Sequence, residues 1–360
     1  MELPDFSRID PDLLAFLTEQ FDTEHCMDDV ALSGPLQERR HISRQAAASL
    51  LRRLVDSGVL VEGKSKRPKT YEPKLYPALL MDVPLEGLEE HVLWHDHVEP
   101  ILSRYASKEA LRIWSYGFTE MVNNAIDHSQ GTNVKVYLSV SAIHAFCQIR
   151  DNGEGVFRRI TRLCNLPDER LAILELSKGK LTTDPSRHSG EGLFFTSRAL
   201  DWFSLDSYGL AFSHHEDGGK FDDWLVELDS GADDDGTQVF MQLNHQTPRT
   251  LDEVFAAFAS PDEMGFDKTR VPVRLAKMGL ESLVSRSQAV RLLARVDRFK
   301  SVMLDFAGVE TIGQAFADQI FRVFANEHPE VELLATNTNP QVHGMISRAR
   351  SNRAAGHGAP

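Results

Sequence analysis

The feature that most constrains the fold is a change in hydrophobic spacing near residue 130. Between residues 107 and 128, apolar residues recur every three or four positions, which predicts a long amphipathic helix. From 134 to 149 apolar and polar residues alternate, which predicts two consecutive strands, and further strands are expected at 224–228 and 237–244. Because these strands come in runs, we expect an α/β sandwich with a mixed or antiparallel sheet over residues 77–246. The predicted apolar stripe of the helix consists of Leu111, Trp114, Phe118, Met121 and Ala125.

A different pattern precedes this sandwich. Apolar residues at helical spacing predict helices over residues 11–21 and 43–57, and Ser43 is well placed to cap the second helix. Two short strands joined by the basic sequence KSKRPK follow. Helices followed by a basic hairpin are typical of a winged helix-turn-helix. We predict this domain for residues 1–76, with 43–57 as its recognition helix.

After residue 270, strands and helices alternate. Strands are predicted at 271–275, 301–306 and 331–336, and each is followed by a segment with helical spacing. We therefore predict a third, α/β domain over residues 270–350. A linker is expected at 247–269 and a disordered tail at 351–360.

Charge and cysteine content limit the environment and the partners. The 360 residues carry 39 Lys and Arg against 53 Asp and Glu, and this net charge of −14 disfavours nucleic-acid binding by the whole molecule. The three cysteines lie far apart, and no apolar run approaches the roughly 18 residues of a membrane span. These properties predict a reducing, cytoplasmic location without membrane contact.

Residues 39–69 reverse the acidic balance, with nine basic side chains against two acidic ones. In the predicted recognition helix, Arg44, Gln45 and Ser49 point away from the apolar face, towards the base edges of duplex DNA. Phosphate contacts are predicted for a second set, which consists of Arg52, Arg53, Lys64, Lys66, Arg67 and Lys69. The alternative is a solvated basic face on a small docking domain, and we favour the DNA-binding interpretation.

Polar elements at four places in the central segment are candidates for a chemical site. Glu120 and Asn124 share one face of the predicted helix, and a carboxylate beside an amide suits general-base chemistry and ligation of a hard cation. Glycine-containing elements follow, where a ligand can approach the backbone closely. The residues of these elements are Asp127, His128, Asp151, Gly153, Gly155, Gly190, Gly192, Leu193, Gly236 and Thr237.

In their order and spacing, these elements resemble the motifs of the GHKL ATPase superfamily, the Bergerat fold, over roughly residues 105–245. The resemblance implies ATP and Mg²⁺ as cofactors, with Glu120 as general base, Asn124 on Mg²⁺ and Asp151 on the adenine amino group. Residues 157–189 would form the lid over ATP. The other nucleotide-binding residues that it implies are Asp127, His128, Gly153, Gly155, Gly190, Gly192, Leu193 and Thr237.

The C-terminal segment is similar to STAS domains, the fold of anti-sigma-factor antagonists. Residues 302–309 resemble the strand and turn that precede the phosphorylated serine of those domains. Here Gln314 and Ala315 occupy the place of that serine, and Thr311 is the nearest hydroxyl. The segment is therefore expected to be a docking or nucleotide-sensing module rather than a kinase substrate.

Together these observations predict a bacterial ATP-binding regulatory switch that controls DNA or protein binding by its flanking domains. One alternative is a serine/threonine kinase of the partner-switching type, because the GEGL element runs straight into a helix as in anti-sigma-factor kinases. A second alternative is a nucleotide-binding scaffold that does not hydrolyse ATP. The expected partners are ATP, duplex DNA, a protein bound by the STAS-like domain and a second copy of the chain.

Overall fold

The computed structural model describes residues 3–21, 29–181, 190–217, 220–227, 235–260, 265–277 and 282–356. The chain divides into two compact units, each assembled from stretches that are distant in sequence. The first unit comprises Met1–Val156, Thr196–Asp222 and Val226–Leu251. The second unit comprises Phe157–Phe195, Asp223–Leu225 and Asp252–Pro360.

Three helices and a β-hairpin begin the first unit. They are α1 (Pro11–Gln20), α2 (Ser33–Arg40), α3 (Arg44–Asp56) and the antiparallel pair β1 (Leu60–Lys66) and β2 (Lys69–Pro73). Ser43 caps α3 as predicted, since its Oγ accepts from the Ala46 N–H at 3.3 Å. Helix α2 was not expected because Gly34 and Pro35 lie in its first turn, where proline is tolerated.

These elements share one apolar core. Phe16 and Leu17 of α1, Leu36 of α2 and Leu51 of α3 are all buried in it. Ile143, from the turn between two strands of the sheet described next, belongs to the same cluster. The N-terminal helices and hairpin therefore form one core, to which the turn between those two strands contributes Ala142 and Ile143.

Seven strands form one sheet in the order β3-β4-β5-β9-β6-β7-β8. Each pairing resolved among the described residues of this sheet is antiparallel, which agrees with the sequence. Strands β3, β6 and β7 were not predicted. Prolines interrupt β3, and Ser, Asp and His break the apolar alternation in the other two. The strands are β3 (Tyr76–Pro84), β4 (Asn133–Val140), β5 (His144–Asp151), β6 (Trp202–Ser207), β7 (Leu210–Asp217), β8 (Lys220–Glu227) and β9 (Gln238–Asn244).

The long predicted helix packs across this sheet. It follows a helical stretch formed by α4 (Glu90–Leu93), a π-helical turn and α5 (Glu99–Leu102), and it is α6 (Lys108–His128). Trp114, Phe118 and Met121 are buried, whereas Leu111 at the edge of the predicted stripe is half-buried. The polar face of α6 is thereby turned away from the apolar core.

The second unit contains a three-stranded parallel sheet in the order β10-β11-β12. The first strand begins earlier than predicted, and residues 273–276 form a 3₁₀ turn instead of its second half. The strands are β10 (Lys268–Pro272), β11 (Ser301–Asp305) and β12 (Glu332–Thr336). The helices of this unit include α7 (Val156–Cys164), α8 (Arg170–Lys178), α10 (Leu251–Ala257), α11 (Arg286–Leu293), α12 (Gln314–Asp318), α13 (Ala325–Glu327) and α14 (Pro340–Gly356). Helices α7 and α10 each begin one residue before the boundary of the unit.

Two segments that were predicted to be a linker and a disordered tail contain helical residues. Within 247–269, predicted as a linker, α10 forms and Phe258 and Phe266 are buried, with ring centroids 6.2 Å apart. Helix α14 continues into the predicted tail as far as Gly356. Apolar residues that are distant in sequence, such as Phe194 at 4.9 Å from Phe258, supply the packing for the first of these segments. No helix in the described ranges is both long and apolar enough to cross a membrane.

Candidate functional site

Helix α6 presents the first group of predicted site residues. Glu120 and Asn124 lie one turn apart and are both half-buried, while Asp127 is exposed and His128 is half-buried one turn further on. The side-chain nitrogen of Asn124 contacts Met121 Sδ at 3.9 Å. The helix therefore arranges these side chains along one face, as the sequence predicted.

The end of α6 meets the turn that follows strand β5. Ser129 Oγ accepts from the Gly131 N–H at 2.9 Å, and the Ser129 carbonyl accepts from the Glu154 N–H at 2.8 Å. Asn152 fixes the next part of the chain, because its Oδ1 accepts from the backbone N–H of Thr132 at 2.8 Å. The helix element and the Asp151 element of the predicted site are thus joined directly.

Asp151 lies at the centre of this arrangement and is only 7% exposed. Its Oδ1 accepts from the Gly153 N–H at 2.8 Å and from the Thr237 N–H at 3.3 Å. Burial raises the pKa of Asp151 above its ordinary value, although these hydrogen bonds act in the opposite direction. The carboxylate is held by neutral donors, and no cationic side chain is paired with it in the described part of the chain.

The glycines of these elements are required by close packing of the protein itself. A Cβ on Gly153 would lie 2.1 Å from the Ser129 carbonyl oxygen, and one on Gly236 would lie 2.1 Å from the Asp151 carbonyl oxygen. Gly155 has φ +89°, and a Cβ there would lie 2.5 Å from Ser207 Oγ. The sequence interpretation gave these glycines a role in ligand approach, whereas in the structure their first effect is to let three chain segments meet.

Several residues of this site were missed by the sequence analysis. The missed Ser207 donates from its Oγ to the Gly236 carbonyl at 2.8 Å. The adjacent Thr237, which was predicted, accepts through its Oγ1 from the Val156 N–H at 3.0 Å. Ser129 and Asn152 hold the turn in the way described above. The Ser-Gln-Gly and Asp-Asn-Gly sequences after the helix and the strand are turn signals that could have identified both residues.

The remaining glycine-containing element belongs to the second unit. Gly190 has φ +72°, and helix α9 (Gly192–Ala199) begins two residues later, with Leu193 in its first turn. The aromatic rings of the next two residues are buried, and the Phe195 N–H donates to the Glu191 carbonyl at 2.9 Å. The predicted helix start is therefore present.

The predicted lid, residues 157–189, also belongs to the second unit. It contains most of α7 and all of α8, whereas its residues 182–189 lie outside the described part of the chain. Lys178 is 1% exposed and donates to Glu175 Oε1 at 2.7 Å. Burial lowers the pKa of Lys178 from its ordinary value, and Glu175 opposes this effect. This lysine therefore has a carboxylate partner inside its own unit.

The predicted DNA-binding face is exposed as expected over α3. Arg44, Gln45 and Ser49 are exposed, while Ala47, Leu51 and Leu54 are buried on the opposite face. The predicted phosphate contacts Arg52, Arg53, Lys64 and Arg67 are also exposed, and the Lys66 side chain lies outside the described part of the chain.

Some of the basic residues in 39–69 are paired with acidic ones. Arg39 binds Glu19 at 3.0 Å, and Arg40 binds Asp12 at 2.9 Å. Lys69 pairs with Glu62 at 2.5 Å. The uncompensated positive charge is therefore smaller than the sequence count, and it is concentrated on α3 and the hairpin.

In the C-terminal sheet, Gly313 caps α12 and Gln314 is its first residue. Thr311 is exposed just before this helix start. In the described ranges, no group of three or more His, Cys, Asp or Glu side chains is arranged to hold a metal ion.

Residues 288–343 match the STAS-like domain of unknown function DUF4325. This match confirms the STAS-like resemblance of the C-terminal segment over those residues, which run from within α11 into α14. The chain has no match among curated proteins. It is therefore a mixed α/β protein with a STAS-like C-terminal domain.

Proposed function

We propose that the chain is an ATP-binding regulatory switch of the GHKL type. In this proposal, Mg-ATP binding or hydrolysis at the end of the antiparallel sheet controls the flanking regions. A winged helix-turn-helix made by α1–α3 and the β1–β2 hairpin binds duplex DNA, and the STAS-like domain binds a protein partner.

The buried carboxylate of Asp151 is the observation that carries the proposal. The carboxylate accepts from two backbone N–H groups through Oδ1 and from the Thr237 side chain. A carboxylate has about four acceptor sites, so that it can still accept a hydrogen bond from a ligand. An exocyclic amino group, as in adenine, provides such a donor. Guanine carries a carbonyl oxygen at the corresponding position and would leave the carboxylate facing another acceptor.

Residues of α6 fit the metal and the reacting end of ATP. Mg²⁺ in nucleotide sites takes one or two protein ligands together with phosphate oxygens and water. Asn124 offers its amide oxygen for this role, since its nitrogen is turned towards Met121 Sδ. Mg²⁺ would neutralise the phosphate charge, and Glu120, one turn away, would accept the proton of an attacking water or hydroxyl.

The exposed face of α3 supports the DNA-binding part of the proposal. Its polar residues face solvent without an acidic partner in the described ranges, and a three-residue turn at 41–43 separates α3 from α2, as in helix-turn-helix proteins. Exposed basic residues of the adjoining hairpin, Lys64 and Arg67, would contact phosphates.

A partner-switching kinase is the second candidate function. The STAS-like match favours it, because STAS-like domains generally mediate protein interactions, and Thr311 is exposed near the start of α12. A scaffold that binds ATP without turnover is a third outcome, in which Glu120 has a structural role only.

Incubation of the full chain with Mg²⁺ and γ-labelled ATP distinguishes these functions. Release of free phosphate supports an ATPase, label on protein supports a kinase, and bound ATP with neither product supports a scaffold. In an ATPase, Glu120→Ala should retain Mg-ATP and lose turnover by about 10²–10⁴-fold. Asn124→Ala should weaken the Mg-dependent part of binding. Absence of ATP binding by the unaltered chain would overturn the proposal.

A further inference from the structure

The first unit contains a cavity of about 230 Å³ between its N-terminal segment and one end of the antiparallel sheet. Strand β9 leads from the candidate nucleotide site to this end, because Thr237 precedes the strand and His245 follows it. The seven residues of β9 span about 23 Å, so the cavity is distinct from the site around Asp151. The residues that line it include Phe6, Leu14, Arg104, Tyr105, His245 and Gln246.

His245 brings a buried polar side chain to this cavity and is only 3% exposed. Its Nε2 lies 3.0 Å from the Ser141 carbonyl oxygen, which can only accept, so that Nε2 carries the proton and donates. Nδ1 is then an acceptor, and it is buried without a hydrogen-bond partner among the described residues. Burial lowers the pKa of His245 to about 4, so that the ring is neutral and Nδ1 keeps its lone pair at neutral pH. A buried acceptor of this kind favours a ligand that donates a hydrogen bond.

Aromatic rings form the next part of the lining. Tyr105 stacks on His245 with ring centroids 5.6 Å apart, and the ring of Phe6 lies 5.7 Å from that of Tyr105. Tyr105 is held in place because its hydroxyl donates to the Pro4 carbonyl at 2.9 Å, and Gln246 Nε2 donates to the Tyr105 carbonyl at 3.4 Å. Rings fixed in this way offer apolar surface that suits a flat aromatic ligand.

The charge and size of the cavity limit the ligand further. Asp5 and Arg104 both line it, are both exposed and carry opposite charges, so that the lining favours no net charge on the ligand. Leu14 and Ile143 add apolar surface. The volume is below the roughly 300–1,000 Å³ of sites that bind drug-sized molecules. A ligand of one or two rings therefore fits best.

We propose that this cavity binds an uncharged, flat nitrogen heterocycle of one or two rings, whose ring N–H donates to His245 Nδ1 and whose rings pack against Phe6 and Tyr105. The proposal does not depend on nucleotide binding at Asp151. Such a ligand would contact α1 through Leu14 and the end of the sheet through His245. Its binding would therefore stabilise the packing of α1 in the first unit.

The test compares two probes on the full chain by ligand-observed NMR titration. Benzimidazole has two fused rings and one N–H donor, and 1-methylbenzimidazole is the matched control in which a methyl group replaces the donor hydrogen. Three variants locate the binding. His245→Phe keeps a ring and removes the acceptor, Leu14→Trp fills the cavity, and Ala15→Trp is the control because Ala15 is exposed on the same helix.

We expect the unaltered chain to bind benzimidazole about three- to tenfold more tightly than 1-methylbenzimidazole, the worth of one hydrogen bond. His245→Phe should abolish this difference. Leu14→Trp should raise the Kd for benzimidazole by about tenfold or more because the indole occupies the cavity, whereas Ala15→Trp should leave it unchanged. Bound benzimidazole should also slow hydrogen exchange in α1.

Asp151→Asn distinguishes this cavity from the nucleotide site, because it should not change the Kd for benzimidazole. Weaker binding in that variant would place the probe at Asp151 and overturn the proposal. Equal affinity for the two probes, a Kd unaffected by Leu14→Trp, or no binding of either probe at millimolar concentration would overturn it as well. His245→Phe also removes the hydrogen bond to Ser141, so its unfolding midpoint is measured first. If that variant is unfolded, the two probes and Leu14→Trp decide the outcome without it.

Discussion

The two units each bury a carboxylate, but they compensate its charge in different ways. Glu175 in the second unit lies between Lys178 and Arg295, so that its charge is balanced within the unit. Among the described residues, the groups that donate to Asp151 in the first unit are neutral, and burial raises the pKa of Asp151. Burial alone therefore does not show whether a carboxylate stabilises the fold or is available to a ligand. The informative difference is whether the protein itself supplies the cation.

The basic residues near the N-terminus show the same contrast. Arg39 and Arg40 are neutralised by acidic residues of α1, whereas Arg44 and Arg53 on α3 are exposed and have no acidic partner in the described ranges. A charge that the chain balances contributes to the fold. One that it leaves unbalanced on an exposed helix is available to a partner of opposite sign.

The largest effect is expected from removing the compensated carboxylate. Glu175→Gln leaves Lys178 buried without a counter-charge and should lower the unfolding free energy of the second unit by about 3–5 kcal/mol. The urea dependence of amide exchange in β11 measures this change. As a control, Asp318→Asn, which disrupts the more exposed pair with Arg322, should have little effect. A destabilisation by Glu175→Gln no greater than that of the control would contradict the structural role given to Glu175.

At the uncompensated carboxylate the main effect should be on ligand affinity. Asp151→Asn presents an amide to the adenine amino group and should weaken ATP binding by about 1–3 kcal/mol, roughly 5–150-fold. The unaltered protein should prefer ATP to GTP for the same reason. Titration calorimetry with both nucleotides measures the preference, and equal affinity for ATP and GTP would exclude Asp151 as the base-reading residue.

The two classes of arginine should differ in their effect on duplex DNA. Replacing Arg52 or Arg53 by Gln should reduce the slope of log K against log salt by about 0.9 for each phosphate that the protein no longer binds. Arg39→Gln is the matched control and should leave the slope unchanged, because Arg39 is already paired with Glu19. Arg44→Ala should instead relax sequence preference.

These salt titrations, run by fluorescence anisotropy with and without ATP, also test the region as a whole. Absence of duplex affinity at low salt in both conditions would identify the N-terminal helices and hairpin as a protein-docking domain. That result would favour the partner-switching kinase over the DNA-binding regulator.

The smallest effect concerns the pH dependence of stability. The folded-state pKa of Asp151 is raised above its ordinary value of 3.8, so that the folded protein favours the protonated carboxyl group. The contribution of this group to the unfolding free energy is fully present below pH 3.8. The contribution disappears as the pH rises through the folded-state pKa, and over the same range ATP affinity should increase as the carboxylate forms. Asp151→Asn should flatten the pH dependence of stability and that of ATP affinity. The difference in urea midpoint between this variant and the parent at each pH measures the effect on stability. Identical pH profiles of the two proteins would show that Asp151 does not titrate as described.

Local sequence signals predicted some elements well and others poorly. Ser43 caps α3 as predicted, and the apolar spacing of α3 and α6 matches their buried faces. Strand β3 was missed because its prolines conflict with a strand pattern, although an edge position tolerates them. The sequence predicts a linker over 247–269 because its local pattern does not reveal that Phe194 packs against Phe258 and Phe266.

The residues of the candidate site also fall into those that the sequence predicted and those that it missed. The sequence identified Asp151, Gly153 and Thr237 from short motifs, and the structure brings these three together around one carboxylate. Ser129 was missed although Ser-Gln-Gly is a turn signal, whereas Ser207 stands alone in the sequence and its role depends on the chain segment that folding brings beside it. The Ser207 Oγ bond to the Gly236 carbonyl and the bond between the Ser129 carbonyl and the Glu154 N–H each join segments that are distant along the chain.

By itself, the sequence determined the types and approximate limits of many elements, the acidic overall charge with a basic N-terminal stretch, and the similarity of residues 288–343 to STAS-like domains. Tertiary structure alone decided that α8 belongs with the C-terminal sheet, that Glu175 has cations beside it and that Asp151 has none in the described ranges. The physical reason is that caps and hydrophobic periodicity act over a few residues, whereas charge compensation depends on side chains brought together by folding.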